Sequence, residues 1–175
     1  NNTYSGTTTI NAGTLEIAST GRLGGGNYTG SITNNGSLLL ASNSDQILGG
    51  VISGNGALTK NGSGTLTLTG ANSYSGGTTL NTGTLVIGNA AAAGTGTITQ
   101  ANGSSLLKID TTGTITNDMS VYNVLASQSA TLSGAITVNN ATWDIDTGDT
   151  LTISGAVSGN GGVTKNGGGT LVLSG

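Results

Sequence analysis

Three aspartates lie close together in the sequence and have the residue type and spacing for chemistry. Asp144, Asp146 and Asp149 occur in the segment Trp-Asp-Ile-Asp-Thr-Gly-Asp, which begins at Trp143. On an extended strand, Asp144 and Asp146 point to the same side, with their α-carbons about 6.5 Å apart. Two carboxylates at this spacing suit a weak Ca²⁺ site or an acid and base acting on a sugar. The main interpretation is a solvated outer face, with the cation site and the catalytic pair as alternatives.

The composition excludes most other catalytic and metal chemistry. The 175 residues contain no His and no Cys, so a Ser-His-Asp triad, a disulfide and a Cys-ligated zinc are excluded. The basic residues are only Arg22, Lys60, Lys108 and Lys165, and the net charge is −3, which argues against a nucleic-acid partner. No apolar run is long enough to cross a bilayer, so we expect no membrane insertion by this segment. We therefore expect a protein that is not an enzyme, with no cofactor and no bound metal.

Short strands with one buried and one wet face are predicted along the whole chain, which makes it an all-β protein. In the segment 65–69, leucines alternate with threonines at the period of two that strands require, and no segment shows helical periodicity. Glu16 and Asp144 should point outward, and Val86 takes the position of Glu16 in a related segment. The side chains expected to point inward are Leu15, Ile17, Leu66, Leu68, Leu85, Ile87, Trp143, Ile145, Leu151, Ile153, Leu171 and Leu173.

Glycine and Asn-Gly pairs separate these strands at intervals of about 20 residues. The 33 glycines and the recurrent Asn-Gly pairs supply the positive φ angles that corners need. Strand-type units at this period predict a β-solenoid of about seven or eight coils, a rod about 35 to 40 Å long. At Lys60-Asn61-Gly62-Ser63-Gly64, a solenoid corner is the main interpretation and a β-hairpin is the alternative.

Two long internal matches organise the chain. The segment 2–17 returns at 72–87 with an offset of 70, and the segment 54–70 returns at 159–175 with an offset of 105. In the second match 12 of 17 positions are identical. The residues of the motif that we single out as structural are Tyr4, Gly6, Lys60, Gly62, Tyr74, Gly76, Lys165 and Gly167.

The run 54–85 resembles the passenger-associated β-strand repeat of bacterial autotransporter proteins, and a second copy is split between 159–175 and 1–15. The resemblance implies a right-handed parallel β-helix with three strands per coil. It also implies a passenger segment, exposed outside the cell or at the surface of Gram-negative bacteria after secretion across the outer membrane. Such passengers serve as adhesins, aggregation factors or stalks. We expect residues 1–175 to form a single β-solenoid segment of a longer passenger, with a host surface or a glycan as a possible partner.

Two other functional classes remain as alternatives. One is a fragment of a carbohydrate-active β-helix enzyme, and the other is an ice- or surface-binding solenoid with regular threonine ladders. Tyr4 and Tyr74, at equivalent positions, suit either an aromatic platform for a glycan or a corner ring with a hydrogen-bonded hydroxyl. The threonine ladders are Thr65/Thr67/Thr69, Thr95/Thr97/Thr99, Thr112/Thr114/Thr116 and Thr150/Thr152.

The two ends of the chain match the two parts of one repeat, and no polar cap is recognisable at either end. Uncapped strand edges pair with other chains, and a net charge of −3 gives little repulsion to prevent it. We therefore expect self-association, side by side or end to end.

Overall fold

Alternating threonine and aliphatic residues form short strands, each of which pairs with the equivalent strands of the preceding and following turns. Thr84–Ile87, for example, lies between Thr65–Leu68 and Leu106–Ile109, in parallel on both sides. The computed structural model describes residues 2–175. The chain is a parallel β-solenoid of about eight turns, which confirms the all-β, stacked-coil fold expected from the sequence.

The described chain contains twenty-one strands and one short 3-10 segment, Gly24–Gly26. The strands are β1 (Thr8–Ile10), β2 (Thr14–Ser19), β3 (Asn27–Tyr28), β4 (Ile32–Asn34), β5 (Ser37–Ser42), β6 (Gln46–Leu48), β7 (Ile52–Ser53), β8 (Ala57–Lys60), β9 (Thr65–Leu68), β10 (Thr78–Leu80), β11 (Thr84–Ile87), β12 (Ile98–Gln100), β13 (Leu106–Ile109), β14 (Thr114–Ile115), β15 (Met119–Ala126), β16 (Ala130–Leu132), β17 (Ile136–Ile145), β18 (Thr150–Ile153), β19 (Val157–Ser158), β20 (Val163–Asn166) and β21 (Thr170–Leu173). No helix within residues 2–175 has the length and apolar character of a membrane span.

The strands form three faces, as the resemblance implied, and the first three and last three full turns contribute strands to all of them. Face 1 contains β1, β4 and β7, then β14, β16, β18 and β21. Face 2 contains β2, β5, β8, β10, β12, the first halves of β15 and β17, and β19. Face 3 contains β3, β6, β9, β11, β13, the second halves of β15 and β17, and β20.

The core is a continuous column of side chains that runs along the inside of the solenoid. Nine of the twelve residues expected to point inward are buried, including Trp143, and both Glu16 and Asp144 are exposed. Leu15 and Leu171 are only partly buried, and Leu173 is 61% exposed. Leu171 and Leu173 pair in register with the buried Leu151 and Ile153, so they point inward but lie in the last strand, which no further strand covers.

Face 1 is interrupted in the fourth and fifth turns, where residues 70–77 and 89–97 contain no strand. The Asn72 side chain replaces part of the missing ladder there. Its Oδ1 accepts a hydrogen bond from the Ile52 backbone at 2.7 Å, and its Nδ2 donates to the Ala92 carbonyl at 2.6 Å. Stacking therefore continues through the gap in the sheet.

Residues 61–64 form a corner, as the main interpretation predicted, because β8 and β9 pair with strands of neighbouring turns and not with each other. Val86 takes the outward position of Glu16, as expected, but it is covered. Val86 occupies an outward position between Thr67 and Lys108, yet it is only 7% exposed. An outward position in the middle of a face is covered by the side chains of both neighbouring turns.

Candidate functional site

The three aspartates are near one another along the chain but do not form a closed site. Asp144 and Asp146 are exposed. The Asp149 carboxylate accepts a hydrogen bond from the Ser129 hydroxyl at 3.0 Å, which holds it against the preceding turn. Over residues 2–175, no group of three His, Cys, Asp or Glu side chains is arranged to hold a metal ion. The salt bridge found in the same range joins Lys108 to Asp110 and involves none of the three aspartates.

An open groove lies at the edge between faces 2 and 3, in the sixth to eighth turns. It forms because the register shifts at Tyr122, where β15 has one residue and β17 has three (139–141), and because the eighth turn makes a wider loop at residues 159–161. Tyr122, Thr137, Asn139 and Asn140 line the groove together with that loop. These lining side chains carry no charge, so the groove presents amides, hydroxyls and one aromatic ring.

Hydrogen bonds fix two of the groove amides. Asn139 Nδ2 donates to the Ser120 hydroxyl at 2.9 Å, and Asn140 Oδ1 accepts from the Gly162 backbone at 3.2 Å. The Tyr122 backbone is held from below by Gln100, whose Oε1 accepts its N–H at 2.9 Å. Gln100 is buried, so the backbone that places Tyr122 in the groove is anchored in the interior. No sequence pattern marks this site, because its residues come from different turns.

Lys60, one of the motif residues, points into the interior of the solenoid and is 2% exposed. In register, it lies between Leu40 and Leu80 of the neighbouring turns. Its ammonium group donates to the Gly62 carbonyl at the corner of its own turn and to the Thr82 carbonyl of the next turn, the latter at 3.5 Å. The lysine therefore joins two successive corners from within.

Burial governs the protonation of this lysine. Desolvation lowers the pKa of Lys60 below its ordinary value of 10.5, and the nearby Asp45 carboxylate opposes part of the shift. A buried ammonium is tolerated only where hydrogen bonds and opposite charge offset its lost hydration. The corner carbonyls and Asp45 supply both, which explains a lysine in an otherwise apolar column.

Tyr74 is a packed corner ring, so the glycan-platform alternative does not fit it. The ring is fully buried, and its hydroxyl forms a hydrogen bond with Thr78 Oγ1. Tyr4 makes the equivalent hydrogen bond with Thr8 Oγ1 at 3.0 Å, but it is 45% exposed. Tyr4 also packs edge-on against Tyr28, with the ring centroids 5.6 Å apart. The two tyrosines thus make the same hydrogen bond to a threonine four residues later, but only the ring of Tyr74 is covered by the rest of the chain.

Tyr74 should make the chain sensitive to strong alkali. Burial raises the pKa of Tyr74 from 10.0 to about 12, so the folded chain keeps the phenol neutral where the unfolded chain ionises. The unfolded state then binds fewer protons, and the free energy of unfolding should fall by about 3 kcal/mol as the pH rises from 10 through 12. Urea unfolding at pH 9 to 12 should show this loss, and Tyr74→Phe should reduce it. An equal loss in that variant would contradict the assignment to Tyr74.

The predicted threonine ladders are distributed over three faces. Thr65 and Thr67 lie on face 3, Thr99 on face 2, and Thr114 and Thr152 on face 1, so they do not form the single regular surface that ice binding needs. A different column of hydroxyl side chains, which no sequence pattern marks, runs along face 2. It contains hydroxyl groups in six successive turns: Thr59, Thr79, Thr99, Ser120, Thr137 and Ser158.

Comparison with known proteins identifies the motif and one relative. The passenger-associated-transport-repeat family matches the chain at residues 1–17, 58–87 and 163–175. The chain is also 36% identical over 128 residues to the adhesin BmaC autotransporter of Brucella suis biovar 1 (strain 1330). That match covers 72% of this chain and 4% of the adhesin. No solved structure matches the chain.

Proposed function

Because the chain is a segment of an autotransporter passenger that carries passenger-associated repeats, we propose that it is a non-catalytic rod that supports adhesion at the bacterial surface. The observation that carries the proposal is the continuous stack of about eight turns around one core. At about 4.8 Å per turn, this stack is a stiff spacer about 38 Å long.

The outer surface of the rod supports contact with neutral polar ligands. The hydroxyl column of face 2 and the groove at Tyr122 are both uncharged, and the groove places an aromatic ring beside oriented amides. Amides that both donate and accept hydrogen bonds suit sugar hydroxyls, and the face of an aromatic ring suits the apolar face of a sugar. A neutral oligosaccharide on a host surface is therefore the ligand class that we assign to the adhesive role.

The non-catalytic part of the proposal rests on how the carboxylates are placed. Asp144 and Asp146 point into solvent, and Asp149 is engaged with Ser129 in the wall of the rod. A glycosidase holds two carboxylates on opposite sides of the bond that it cleaves. Side chains on one outer surface do not provide this arrangement, so binding without cleavage is expected.

One experiment tests both the adhesive part and the non-catalytic part of the proposal. The labelled chain is applied to an array of neutral glycans and to host cells with and without glycosidase treatment, and the released sugars are measured. We expect binding that Tyr122→Ala weakens tenfold or more. Tyr4→Ala, the same change at an exposed tyrosine outside the groove, should change binding by no more than about twofold.

Binding to neither glycans nor cells would contradict the adhesive role. Release of sugar that disappears in Asp144→Asn or Asp146→Asn would contradict the non-catalytic role and would favour the enzyme alternative.

A further inference from the structure

Six asparagines of the chain are followed directly by glycine, and such pairs are the sites at which asparagine most easily loses its side-chain amide. The peptide nitrogen of the glycine attacks the side-chain carbon of the asparagine, because glycine has no side chain to obstruct the approach. The attack needs a glycine N–H that is free of other acceptors and a backbone with room to turn. The fold therefore decides which Asn-Gly pairs can react.

Four of these pairs lie in turns that have a neighbouring turn on both sides, and in three of the four the glycine N–H is already used. The Gly36 N–H donates to Asn34 Oδ1 at 3.2 Å, and the Gly56 N–H donates to the Asn34 carbonyl at 2.8 Å. The Gly62 N–H donates to the Leu40 carbonyl of the preceding turn at 3.2 Å. An attack by any of these three nitrogens would first have to break a hydrogen bond.

The fourth pair, Asn102–Gly103, is open. It lies at the corner between β12 and β13 in the fifth turn, and both of its residues are exposed. The Gly103 N–H donates to no acceptor within residues 2–175. A Cβ added to Gly103 would lie 3.7 Å from its nearest neighbour, Tyr122 Cδ1, whereas one on Gly62 would lie 2.0 Å from the Ser42 carbonyl oxygen. The backbone at Gly103 therefore has room to turn toward the Asn102 side chain.

The residue after this pair, Ser104, holds the asparagine side chain in place. Asn102 Oδ1 accepts hydrogen bonds from the Ser104 N–H at 2.9 Å and from the Ser104 hydroxyl at 2.5 Å. Two donors on one carbonyl oxygen stabilise the negative charge that develops there when a nucleophile adds to its carbon. Asn102 Nδ2 donates to the Asn81 carbonyl of the preceding turn at 3.1 Å, which fixes the other end of the amide. The corner thus combines a free nucleophile with a polarised amide.

We propose that Asn102 and Gly103 form a self-modification site, at which the chain converts an amide of its fifth turn into a carboxylate. The Gly103 nitrogen loses its proton and bonds to Cγ of Asn102. The Cγ–Nδ2 bond breaks, and the Nδ2 group takes up a proton and leaves as ammonia. Water then opens the resulting cyclic imide at one of its two carbonyl carbons, which gives aspartate or isoaspartate. Water is the only other reactant.

The product weakens the contact between the fourth and fifth turns. A carboxylate cannot donate the hydrogen bond that Asn102 Nδ2 donates to the Asn81 carbonyl, and its negative charge repels that oxygen. The isoaspartate form also adds one atom to the main chain of the corner. Amide protons of residues 102–105 should therefore exchange faster after the reaction, whereas those of the corner at residues 61–64 should not change.

Peptide mapping by mass spectrometry measures the reaction at each asparagine. The folded chain is kept in mildly alkaline buffer, and samples taken over time are unfolded and digested with trypsin. Cleavage after Lys60 and Lys108 releases residues 61–108 as one peptide, so Asn61 is a matched control for Asn102 within the same molecule. Fragment ions locate the converted residue. Asn102 should convert at least about tenfold faster than Asn61.

The same chain unfolded in guanidinium chloride supplies a second control. Without the fold, the Gly62 N–H is as free as the Gly103 N–H, so Asn61 and Asn102 should convert at rates within about twofold of each other. A folded chain in which Asn102 converts no faster than Asn61 would overturn the proposal. So would a tenfold difference that persists in the unfolded chain, because the fold would then not be its cause.

Two variants separate the attack from its support. Gly103→Ala places a methyl group in open space, so the fold is kept, and the methyl group should slow conversion at Asn102 by about tenfold or more. Ser104→Ala removes the hydroxyl that donates to Asn102 Oδ1 and should slow conversion by about threefold or more in the folded chain only. Conversion that is as fast in Gly103→Ala as in the original chain would contradict attack by the Gly103 nitrogen. Equal slowing by Ser104→Ala in the folded and unfolded chains would contradict the positioning role of Ser104.

Discussion

Gly83→Ala is expected to lower the free energy of unfolding by about 3 kcal/mol or more, whereas Gly13→Ala should lower it by about 1 to 2 kcal/mol. The two glycines are equivalent in the repeat, and their φ angles are +73° and +72°. The backbone strain of an L-residue is therefore common to both variants. Only Gly83 also faces the corner carbonyls of the preceding turn and the Lys60 ammonium. The difference in free energy of unfolding between the two variants therefore reports the cost of placing a methyl group between successive turns at a corner.

The measurement is urea unfolding followed by circular dichroism at a protein concentration low enough to keep the chain monomeric. Amide hydrogen exchange adds a local readout, because the turns of a solenoid interact mainly with their nearest neighbours. Protection should fall most in β9 and β11, which flank the corners at residues 61–64 and 81–83. Equal losses of stability in the two variants would show that strain, and not contact between turns, dominates at these glycines.

The sequence predicted the fold because local patterning and long-range repetition agree. The Thr-Leu alternation at residues 65–68 and 150–153 places leucine and isoleucine on the inner side in the structure as well. Corners of glycine and asparagine limit each strand to a few residues. The internal matches then identify the units as stacked copies. A chain with both signals has few other ways to bury its aliphatic side chains.

The interior position of Lys60 does have a signal in the sequence. Lys60 follows Leu58 by two residues, so the alternation that places Leu58 inside places Lys60 inside as well. The general rule that lysines avoid interiors opposes this conclusion. What reverses the rule is the pair of corner carbonyls, Gly62 and Thr82, which come from two successive turns and depend on how those turns stack.

The surface features depend on the length of each turn, which the sequence pattern does not give. The hydroxyl column of face 2 connects Thr79, Thr99, Ser120 and Thr137, whose spacings of 20, 21 and 17 residues differ from turn to turn. The groove at Tyr122 likewise depends on a register shift between the sixth and seventh turns and on a wide loop in the eighth. An error of one residue in turn length moves a side chain to the other side of the sheet, and an error of two residues pairs it with a different neighbour.

Leu68→Ala is expected to lower the free energy of unfolding by about 2 to 5 kcal/mol, and Leu173→Ala, the same change at the equivalent position, by about 0.5 kcal/mol or less. Leu68 is fully buried in β9, with Leu48 and Ile87 as its neighbours in register. Its truncation leaves a cavity that these neighbours cannot fill. Leu173 has Ile153 on one side only and is 61% exposed, so water fills the space left by its truncation.

Urea unfolding of both variants, followed by circular dichroism, measures this difference. A loss in Leu173→Ala as large as that in Leu68→Ala would show that β21 is covered by part of the chain itself.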